Sequence, residues 1–175
     1  TADDVTLDCA GYKITGGNVS ENIAVYSNKL RSTVKNCQIR NFSTGIFLAS
    51  SASYAMITNN TVNQTYGTSC YMSDGSYFGL DGSCILIYLS NTDNSTIYNN
   101  RLNGSLSGFG IAVNSGANYN NITGNNVTDE YGIFIQSGSN NTLINNIASS
   151  SKFGFLLGSQ ANDNNLSNNF AYNST

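Results

Sequence analysis

Side chains that could carry acid–base or metal chemistry are few and scattered along the sequence. The chain has no histidine, so mechanisms that use imidazole as a base, proton donor or metal ligand are excluded. Among the ten acidic residues, only Asp74 and Asp81 form a pair suited to acid–base or calcium chemistry. Adjacent Asp129 and Glu130 would point to opposite faces of a strand. We therefore predict no catalytic residue, no cofactor and no metal site.

The four cysteines could form two disulfide bonds. Cys9 and Cys37 lie in two similar short phrases of sequence, and Cys70 and Cys84 bracket most of a segment that differs from the rest of the chain. Of the three possible pairings, the repeated phrases favour Cys9 with Cys37 and Cys70 with Cys84, and free buried thiols are the competing interpretation. Disulfide bonds would indicate an oxidising, extracellular location.

Potential N-glycosylation sites are somewhat more frequent than composition alone predicts. The sequence contains eleven N-x-S/T sequons among its 29 asparagines, and most lie beside short apolar stretches, where we expect turns that face solvent. Asn59 is left out because it belongs to a recurring asparagine column described below. The remaining candidates for N-linked glycans on a cell surface are Asn18, Asn41, Asn63, Asn94, Asn103, Asn121, Asn126, Asn140, Asn165 and Asn173.

Composition favours a packed fold with a weakly acidic surface. The net charge is −3 and only 10% of the residues are charged, so a basic surface for nucleic acid is not expected. A hydrophobic content of 39% favours a packed fold over disorder. No apolar run reaches the roughly 18 residues of a membrane span, so we expect no membrane insertion in this segment, and any targeting peptide or anchor is expected to lie outside it.

Two phrases recur along nearly the whole chain. The first reads apolar, any, Asn, Asn, any, apolar, and occurs with small variations at residues 34–39, 57–62, 97–102 and 122–127, with shorter copies from Leu143 and Leu166. The second reads Gly, apolar, any, apolar, and its last three copies begin 22 residues apart at Gly110, Gly132 and Gly154. One structural unit is therefore repeated.

The repeated unit has the signals of strands and turns. It combines short stretches of period-two alternation with Gly, Asn and Ser, and it lacks the apolar stripe of a helical repeat. A period near 22 residues fits a coil of about three short strands, each stacking in parallel on its equivalent in the next coil. We expect six full coils and a partial seventh that begins at Leu166.

Through residues 5–16 and these two phrases, the chain resembles the right-handed parallel β-helix repeat proteins, the pectate-lyase-like or NosD-like superfamily. The resemblance implies an all-β, single-stranded right-handed parallel β-helix, or β-solenoid, over residues 1–175 as one domain with an inserted loop at 66–84. The superfamily includes polysaccharide lyases and hydrolases, but the clustered acidic and basic groups that they use are missing here. With only Met56 and Met72 as thioethers, the chain is a poor match to the copper-associated members.

The asparagines of the first phrase form two columns when the coils are stacked. Asn tolerates left-handed backbone angles, and its amide can donate to one coil while accepting from the next, so one column is expected to be a structural ladder in a turn. A row that reads a ligand is the alternative. An aromatic column at Phe109, Tyr131 and Phe153 predicts ring stacking, with a sugar-binding platform as the functional alternative.

The insertion at 66–84 departs from the repeats and is expected to loop off the rod. Long loops on a rigid scaffold often carry binding residues. Its aromatic side chains Tyr71, Tyr77 and Phe78 are the candidate contacts. A loop that only packs on the coil is the alternative.

Together these features predict a non-catalytic extracellular structural protein. Neither end of the sequence shows an amphipathic capping helix, and the last coil is partial. Either the chain is a piece of a longer surface protein, or its open ends stack end to end as a homopolymer in a cell-surface filament, sheath or surface layer, which is the reading we favour. The runner-up is a carbohydrate-binding or adhesive module, and a polysaccharide lyase or hydrolase comes third.

Overall fold

The computed structural model describes residues 2–17, 22–63, 85–104, 108–149 and 152–172. Regular structure in these residues consists of twenty β-strands, which pair in parallel within three sheets, two of seven strands and one of six. Each sheet takes every third strand of the chain, so the chain winds as a solenoid of six full coils and a partial seventh. The predicted parallel β-helix and its number of coils are confirmed. The described part of the chain contains no helix long and apolar enough to span a membrane.

The strands are numbered in chain order, and three successive strands make one coil. The first sheet contains β1 (Thr6–Asp8), β4 (Thr33–Lys35), β7 (Met56–Thr58), β10 (Thr96–Tyr98), β13 (Asn121–Thr123), β16 (Thr142–Ile144) and β19 (Asn165–Ser167). The second sheet contains β2 (Lys13–Thr15), β5 (Gln38–Arg40), β8 (Thr61–Asn63), β11 (Arg101–Asn103), β14 (Asn126–Thr128), β17 (Ile147–Ser149) and β20 (Phe170–Tyr172). The third sheet contains β3 (Ile23–Ser27), β6 (Thr44–Leu48), β9 (Ile85–Ser90), β12 (Phe109–Asn114), β15 (Tyr131–Ser137) and β18 (Phe153–Gln160).

Apolar columns fill the interior of the rod. Each three-residue strand of the first two sheets turns its middle side chain inward and its two outer side chains outward. Thus Val34 is in register with Ile57, and Ile97 with Ile122, and all four are buried. Burial of one such side chain stabilises the fold by about 1.5–3 kcal/mol. The period-two pattern of the first phrase therefore builds the core.

The four inner strands of the third sheet, β6, β9, β12 and β15, are buried on both faces. One set of their residues joins the interior, and the alternate set forms a second apolar cluster that includes Phe47, Tyr88 and Phe134. Residues Ile85 to Leu89 are all buried. Strands covered on both faces read as continuous apolar runs, which explains why the second phrase is more apolar than the first.

Two corners of each coil use left-handed backbone angles. At the second corner, between the first and second sheets, the first asparagine of five phrases has a φ between 53° and 56°, and Gly124 takes this place in the phrase at 122–127 with a φ of 66°. At the first corner, where the third sheet leads into the first, a second left-handed column follows the rod. Asparagine and aspartate tolerate these angles better than other side chains with a Cβ. The first-corner column contains Asp4, Arg31, Tyr54, Asn94, Tyr119, Asn140 and Asp163.

Close packing requires the glycine that opens the second phrase. A Cβ at Gly110 would overlap Cγ1 of Val127 and come within 2.6 Å of the carbonyl oxygen of Gly132. A Cβ at Gly132 would lie 2.7 Å from the Cβ of Ala148. The third sheet can therefore approach the second sheet only where this position lacks a side chain.

Candidate functional site

A buried asparagine ladder runs through the second corner. The backbone N–H of Asn100 donates to Oδ1 of Asn125 at 3.0 Å, and its Nδ2 donates to the carbonyl oxygen of Ile57 at 3.0 Å. The same pattern repeats at Asn60 and Asn146. These side chains are at most 1% exposed. The predicted structural ladder is confirmed for this column, whose buried amides point into the rod and are not available to read a ligand.

The first corner holds a second ladder that the sequence analysis missed. The backbone N–H of Ser95 donates to Oδ1 of Asn120 at 2.9 Å, that of Asn120 to Asn141 at 2.9 Å, and that of Asn141 to Asn164 at 2.8 Å. The signal in the sequence is the run of Asn-Asn pairs at 120–121, 140–141 and 164–165. In each pair one asparagine enters the ladder and the other belongs to a sequon, and only the sequon was recognised.

The disulfide bond between Cys9 and Cys37 closes one end of the second-corner ladder. Their Cα atoms are 4.8 Å apart and their sequence separation is 28. The backbone N–H of Cys37 donates to Oδ1 of Asn60 at 3.0 Å, as a ladder asparagine would. This predicted pairing is confirmed, whereas Cys70 and Cys84 lie outside the described residues.

The predicted aromatic column is a stack of rings on the third sheet. The ring centroids of Phe109 and Tyr131 are 4.6 Å apart, and those of Tyr131 and Phe153 are 5.7 Å apart. Phe109 is fully buried and Tyr131 is 5% exposed. Stacking is confirmed, and the buried rings cannot serve as a sugar-binding platform. The candidate contacts Tyr71, Tyr77 and Phe78 lie outside the described residues.

Several predicted glycosylation sites are exposed on the rod. Asn94 and Asn140 lie at the first corner, Asn121 and Asn165 begin strands of the first sheet, and Asn126 begins a strand of the second sheet. Asn121 and Asn165 therefore lie in strands rather than in the expected turns, but their side chains face outward. Asn59, which the sequence analysis set aside as a column residue, is also exposed, because the buried ladder uses Asn60 instead.

The other predicted glycosylation sites are less accessible or lie outside the described part of the chain. Asn63 and Asn103 end strands β8 and β11, are half-buried, and are joined by a bond of 2.9 Å from Nδ2 of Asn103 to Oδ1 of Asn63. The expected turns at these two positions are therefore wrong. Asn41 is half-buried at a left-handed φ of 64°. Asn18 and Asn173 lie outside the described residues.

Asp129 is a buried carboxyl group at the turn between β14 and β15. Its Oδ1 accepts hydrogen bonds from the backbone N–H groups of Gly108 at 3.0 Å and Glu130 at 2.8 Å. Its Oδ2 is buried without a partner among the described residues. Burial raises the pKa of Asp129 to about 7, partly offset by those two hydrogen bonds. No local sequence pattern predicts this burial.

The remaining described charges are dispersed over the surface. Ion pairs join Arg31 to Asp4, Lys35 to Asp8 and Lys152 to Glu130. The described residues include no group of three or more His, Cys, Asp or Glu side chains that could hold a metal ion. Asp74 and Asp81, the one acidic pair singled out in the sequence, lie outside them.

Hydrogen bonds hold two of the exposed carboxyl groups in the charged form. The bond from Arg31 lowers the pKa of Asp4 below its usual range. The pKa of Asp8 is lowered first by a bond from Nδ2 of Asn36 and then by one from the backbone N–H of Ala10. Both groups therefore stay ionised in neutral and mildly acidic solution.

Interior positions are uncovered at both ends of the described rod. In the column where Ile57 and Ile97 are fully buried, the terminal members Leu7 and Leu166 are each 37% exposed. Leu157, at the last strand of the third sheet, is 46% exposed. A hollow of about 290 Å³ lies at the first coil. Another of about 370 Å³ lies between β18 and β20.

Three tyrosines stand out from the first-sheet side of the rod. Tyr54 and Tyr119 occupy the left-handed column of the first corner and are 59% and 60% exposed, and Tyr98 ends β10 and is 43% exposed. The register places Tyr98 beside Thr58 and Thr123. This side of coils three to five therefore presents aromatic rings next to hydroxyl groups.

The structure is thus a parallel solenoid of three sheets whose corners are held by two internal asparagine ladders. The sequence model of the family described as "right handed beta helix region" matches residues 22–171. The chain therefore belongs to the right-handed β-helix family. No curated protein and no solved structure matches it. Because this fold supports both enzymes and non-enzymes, membership alone does not assign an activity.

Proposed function

We propose that the protein is a non-catalytic structural element of the cell surface, a rod that assembles end to end. The observation that carries this proposal is the exposure of interior columns at both ends, at Leu7 on the first coil and at Leu157 and Leu166 on the last two. Exposed apolar side chains beside unpaired strand edges favour pairing with another set of strands. A second copy, docked in the same orientation, would extend all three sheets.

The contact between copies would rest on strand pairing and apolar burial. At the position that forms the first-corner ladder in coils four to seven, the first coil has Val5, which has no side-chain acceptor. At the second corner of the first coil, Cys9 is already joined to Cys37. A docked first coil would therefore not extend either asparagine ladder. The exposed apolar side chains Leu7, Leu157 and Leu166 supply the surface to be buried instead.

The surface location is supported by the disulfide bond and by the exposed sequons. The bond between Cys9 and Cys37 is consistent with an oxidising compartment. A non-catalytic role is supported by the dispersed charges of the described residues and by the lack of histidine in the chain.

Sedimentation velocity over a range of concentrations tests the assembly. We expect species larger than the 18.6 kDa monomer that grow with concentration. The variants Leu157→Lys and Leu7→Lys, one at each end, should both abolish growth, because a head-to-tail contact uses both ends. Tyr54→Lys, an exposed apolar position on the side of the rod, is the matched control and should assemble normally. A wild-type monomer at every concentration would refute the proposal.

The second candidate is a carbohydrate-binding or adhesive module. It is favoured by the exposed rings of Tyr54, Tyr98 and Tyr119, since tyrosine combines an apolar ring face with a polar tip. Replacement of all three by alanine should then abolish binding on a glycan array. Unchanged binding by this variant, or no binding by the wild type, would exclude these residues as the site. The insertion residues Tyr71, Tyr77 and Phe78 are the second set to replace.

A further inference from the structure

Four of the exposed sequons lie along one edge of the rod, one in each of four successive coils. Asn94, Asn121, Asn140 and Asn165 belong to coils four, five, six and seven. Asn94 and Asn140 occupy the left-handed column of the first corner, and Asn121 and Asn165 open β13 and β19 close by. We propose that these four asparagines carry N-linked glycans, and we call them the glycan edge. This rests on the surface location proposed above, but not on end-to-end assembly.

The four asparagines are staggered in a way that leaves room for a glycan on each. Asn121 pairs in register with Thr142, which pairs with Asn165, so these two asparagines are two strands apart. At about 4.8 Å per strand, their separation is about 10 Å. Asn94 and Asn140 are likewise two coils apart, with Tyr119 between them. Within the glycan edge, adjacent coils therefore never place two sequon asparagines in the same column.

The nitrogen that would carry each glycan is available. All four side chains are exposed, and none of them donates a hydrogen bond from Nδ2 to a described residue. Oδ1 of Asn121 accepts a hydrogen bond from the hydroxyl group of Thr123, the third residue of its own sequon. The half-buried pair differs, because Nδ2 of Asn103 is bonded to Asn63. Exposure and hydrogen bonding therefore separate the glycan edge from that pair.

The fold fixes the backbone of these sequons without using the asparagine side chains. The middle residues of two of them, Ser95 and Asn141, belong to the buried first-corner ladder, whose bonds hold the local chain. In the other two, the residue before the sequon is the ladder residue, Asn120 or Asn164. The side chains of the ladder residues thus face inward, while those of the adjacent sequon asparagines face outward.

Glycan transfer to this edge needs one bond exchange. Nδ2 of the asparagine loses a proton and forms a bond to the anomeric carbon of a lipid-phosphate-linked glycan. The bond from that carbon to the phosphate oxygen breaks, and the lipid phosphate leaves with the electron pair. No oxidant or reductant takes part, and the donor glycan is the only co-reactant.

Attached glycans would also cover exposed aromatic surface. Tyr119, which is 60% exposed, lies one coil from Asn94 and one coil from Asn140 in the same column. An aromatic ring in this position can pack against the apolar face of the first sugars. Glycans here would hinder side-to-side contacts along the first sheet.

Glycopeptide mapping of the full chain isolated from its own cells tests the glycan edge. Enzymatic release of glycans in heavy-oxygen water converts each occupied asparagine into a labelled aspartate, which mass spectrometry locates. We expect label at Asn94, Asn121, Asn140 and Asn165 and none at Asn63 and Asn103. An unlabelled edge would overturn the proposal, and so would label at Asn63 and Asn103 equal to that at the edge.

Variants of the full chain, secreted from a host that performs N-glycosylation, give an independent test. Replacing the four edge asparagines by glutamine should lower the intact mass by four glycans, whereas the matched control Asn63→Gln/Asn103→Gln should keep the wild-type glycan mass. Equal glycan loss in both variants would contradict the assignment. Because mass is read without reference to oligomeric state, failure of end-to-end assembly would leave this result interpretable.

Discussion

The burial of the Asp129 carboxyl group changes its protonation, and the local sequence does not reveal that burial. Among the described residues it is the one buried carboxyl group, and it holds the turn by accepting bonds from two backbone N–H groups. Burial disfavours its charged form and raises its pKa to about 7. The folded rod therefore holds this proton at pH values where the unfolded chain releases it.

The raised pKa of Asp129 predicts a pH dependence of stability. Its contribution is fully present below the unfolded value of 3.8 and is lost as the pH rises through about 7. Between pH 5 and 7 the free energy of unfolding should fall with a slope approaching 1.4 kcal/mol per pH unit, a value that follows from about 1.36 kcal/mol per pKa unit. In Asp129→Asn, which keeps Oδ1 and cannot ionise, this slope should disappear.

Urea denaturation at pH 5, 6, 7 and 8 measures that slope. The slope, and not the absolute stability, is the quantity to compare, because the new Nδ2 would take the place of Oδ2, which has no partner among the described residues. Asp4 and Asp8, whose pKa values are lowered, stay ionised throughout this range. Asp163→Asn, at an exposed position, is the control. Parallel pH profiles for the wild type and Asp129→Asn would show that Asp129 does not titrate in this range.

The ladders stabilise the corners by satisfying buried backbone groups that no strand partner reaches. Asn125→Ala would leave the backbone N–H of Asn100 without its acceptor and the carbonyl oxygen of Ile97 without the Asn125 donor. With each unmet buried group costing about 1–3 kcal/mol, we expect a loss of about 3 kcal/mol. Its exposed neighbour Asn126 is the matched control, and Asn126→Ala should change stability by less than about 0.5 kcal/mol.

Chemical denaturation of the two asparagine variants checks this prediction. Comparable midpoints for Asn125→Ala and Asn126→Ala would mean that the ladder contributes little beyond strand pairing. A loss of stability in Asn125→Ala alone would show that the inward-facing Asn125, and not the outward-facing Asn126, stabilises the corner.

Substitution of the glycine that opens the second phrase should also lower the stability of the fold. Gly110→Ala would place a Cβ against the side chain of Val127 and the carbonyl oxygen of Gly132, so we expect a loss of about 1–3 kcal/mol through overpacking. Gly17, where an added Cβ would meet no atom of the described residues within 4 Å, is the control, and Gly17→Ala should be close to neutral. Thermal unfolding compares the pair, and similar melting temperatures would argue against close packing of the two sheets.

At the scale of the coil, a ladder could be predicted from the sequence only where its column repeats one residue type. The second-corner ladder repeats one residue type in successive phrases, from Asn60 to Asn169, so the pattern was visible in the sequence. The first-corner ladder begins with Ser95 and follows a position held by Ala55, and this mixture hid the column. Burial of Asp129 depends on packing between coils, which no local pattern records.

The surface of the whole rod divides into regions with different expected roles. The two asparagine ladders and the apolar columns hold the interior. The glycan edge occupies the first-sheet side of coils four to seven, and interior positions are exposed at the two ends. The strand count and parallel pairing could be predicted from the repeat. Which sequons are exposed could not, because Asn103 and Asn126 both lie in outward positions and only hydrogen bonding and burial distinguish them.

End-to-end assembly is the central claim, and electron microscopy of negatively stained protein tests it most directly. Seven coils at about 4.8 Å per strand give a rod of roughly 30–35 Å. We predict unbranched filaments with an axial repeat of that length, which shorten to single rods in Leu157→Lys. Isolated short rods in the wild type at all concentrations would contradict the account.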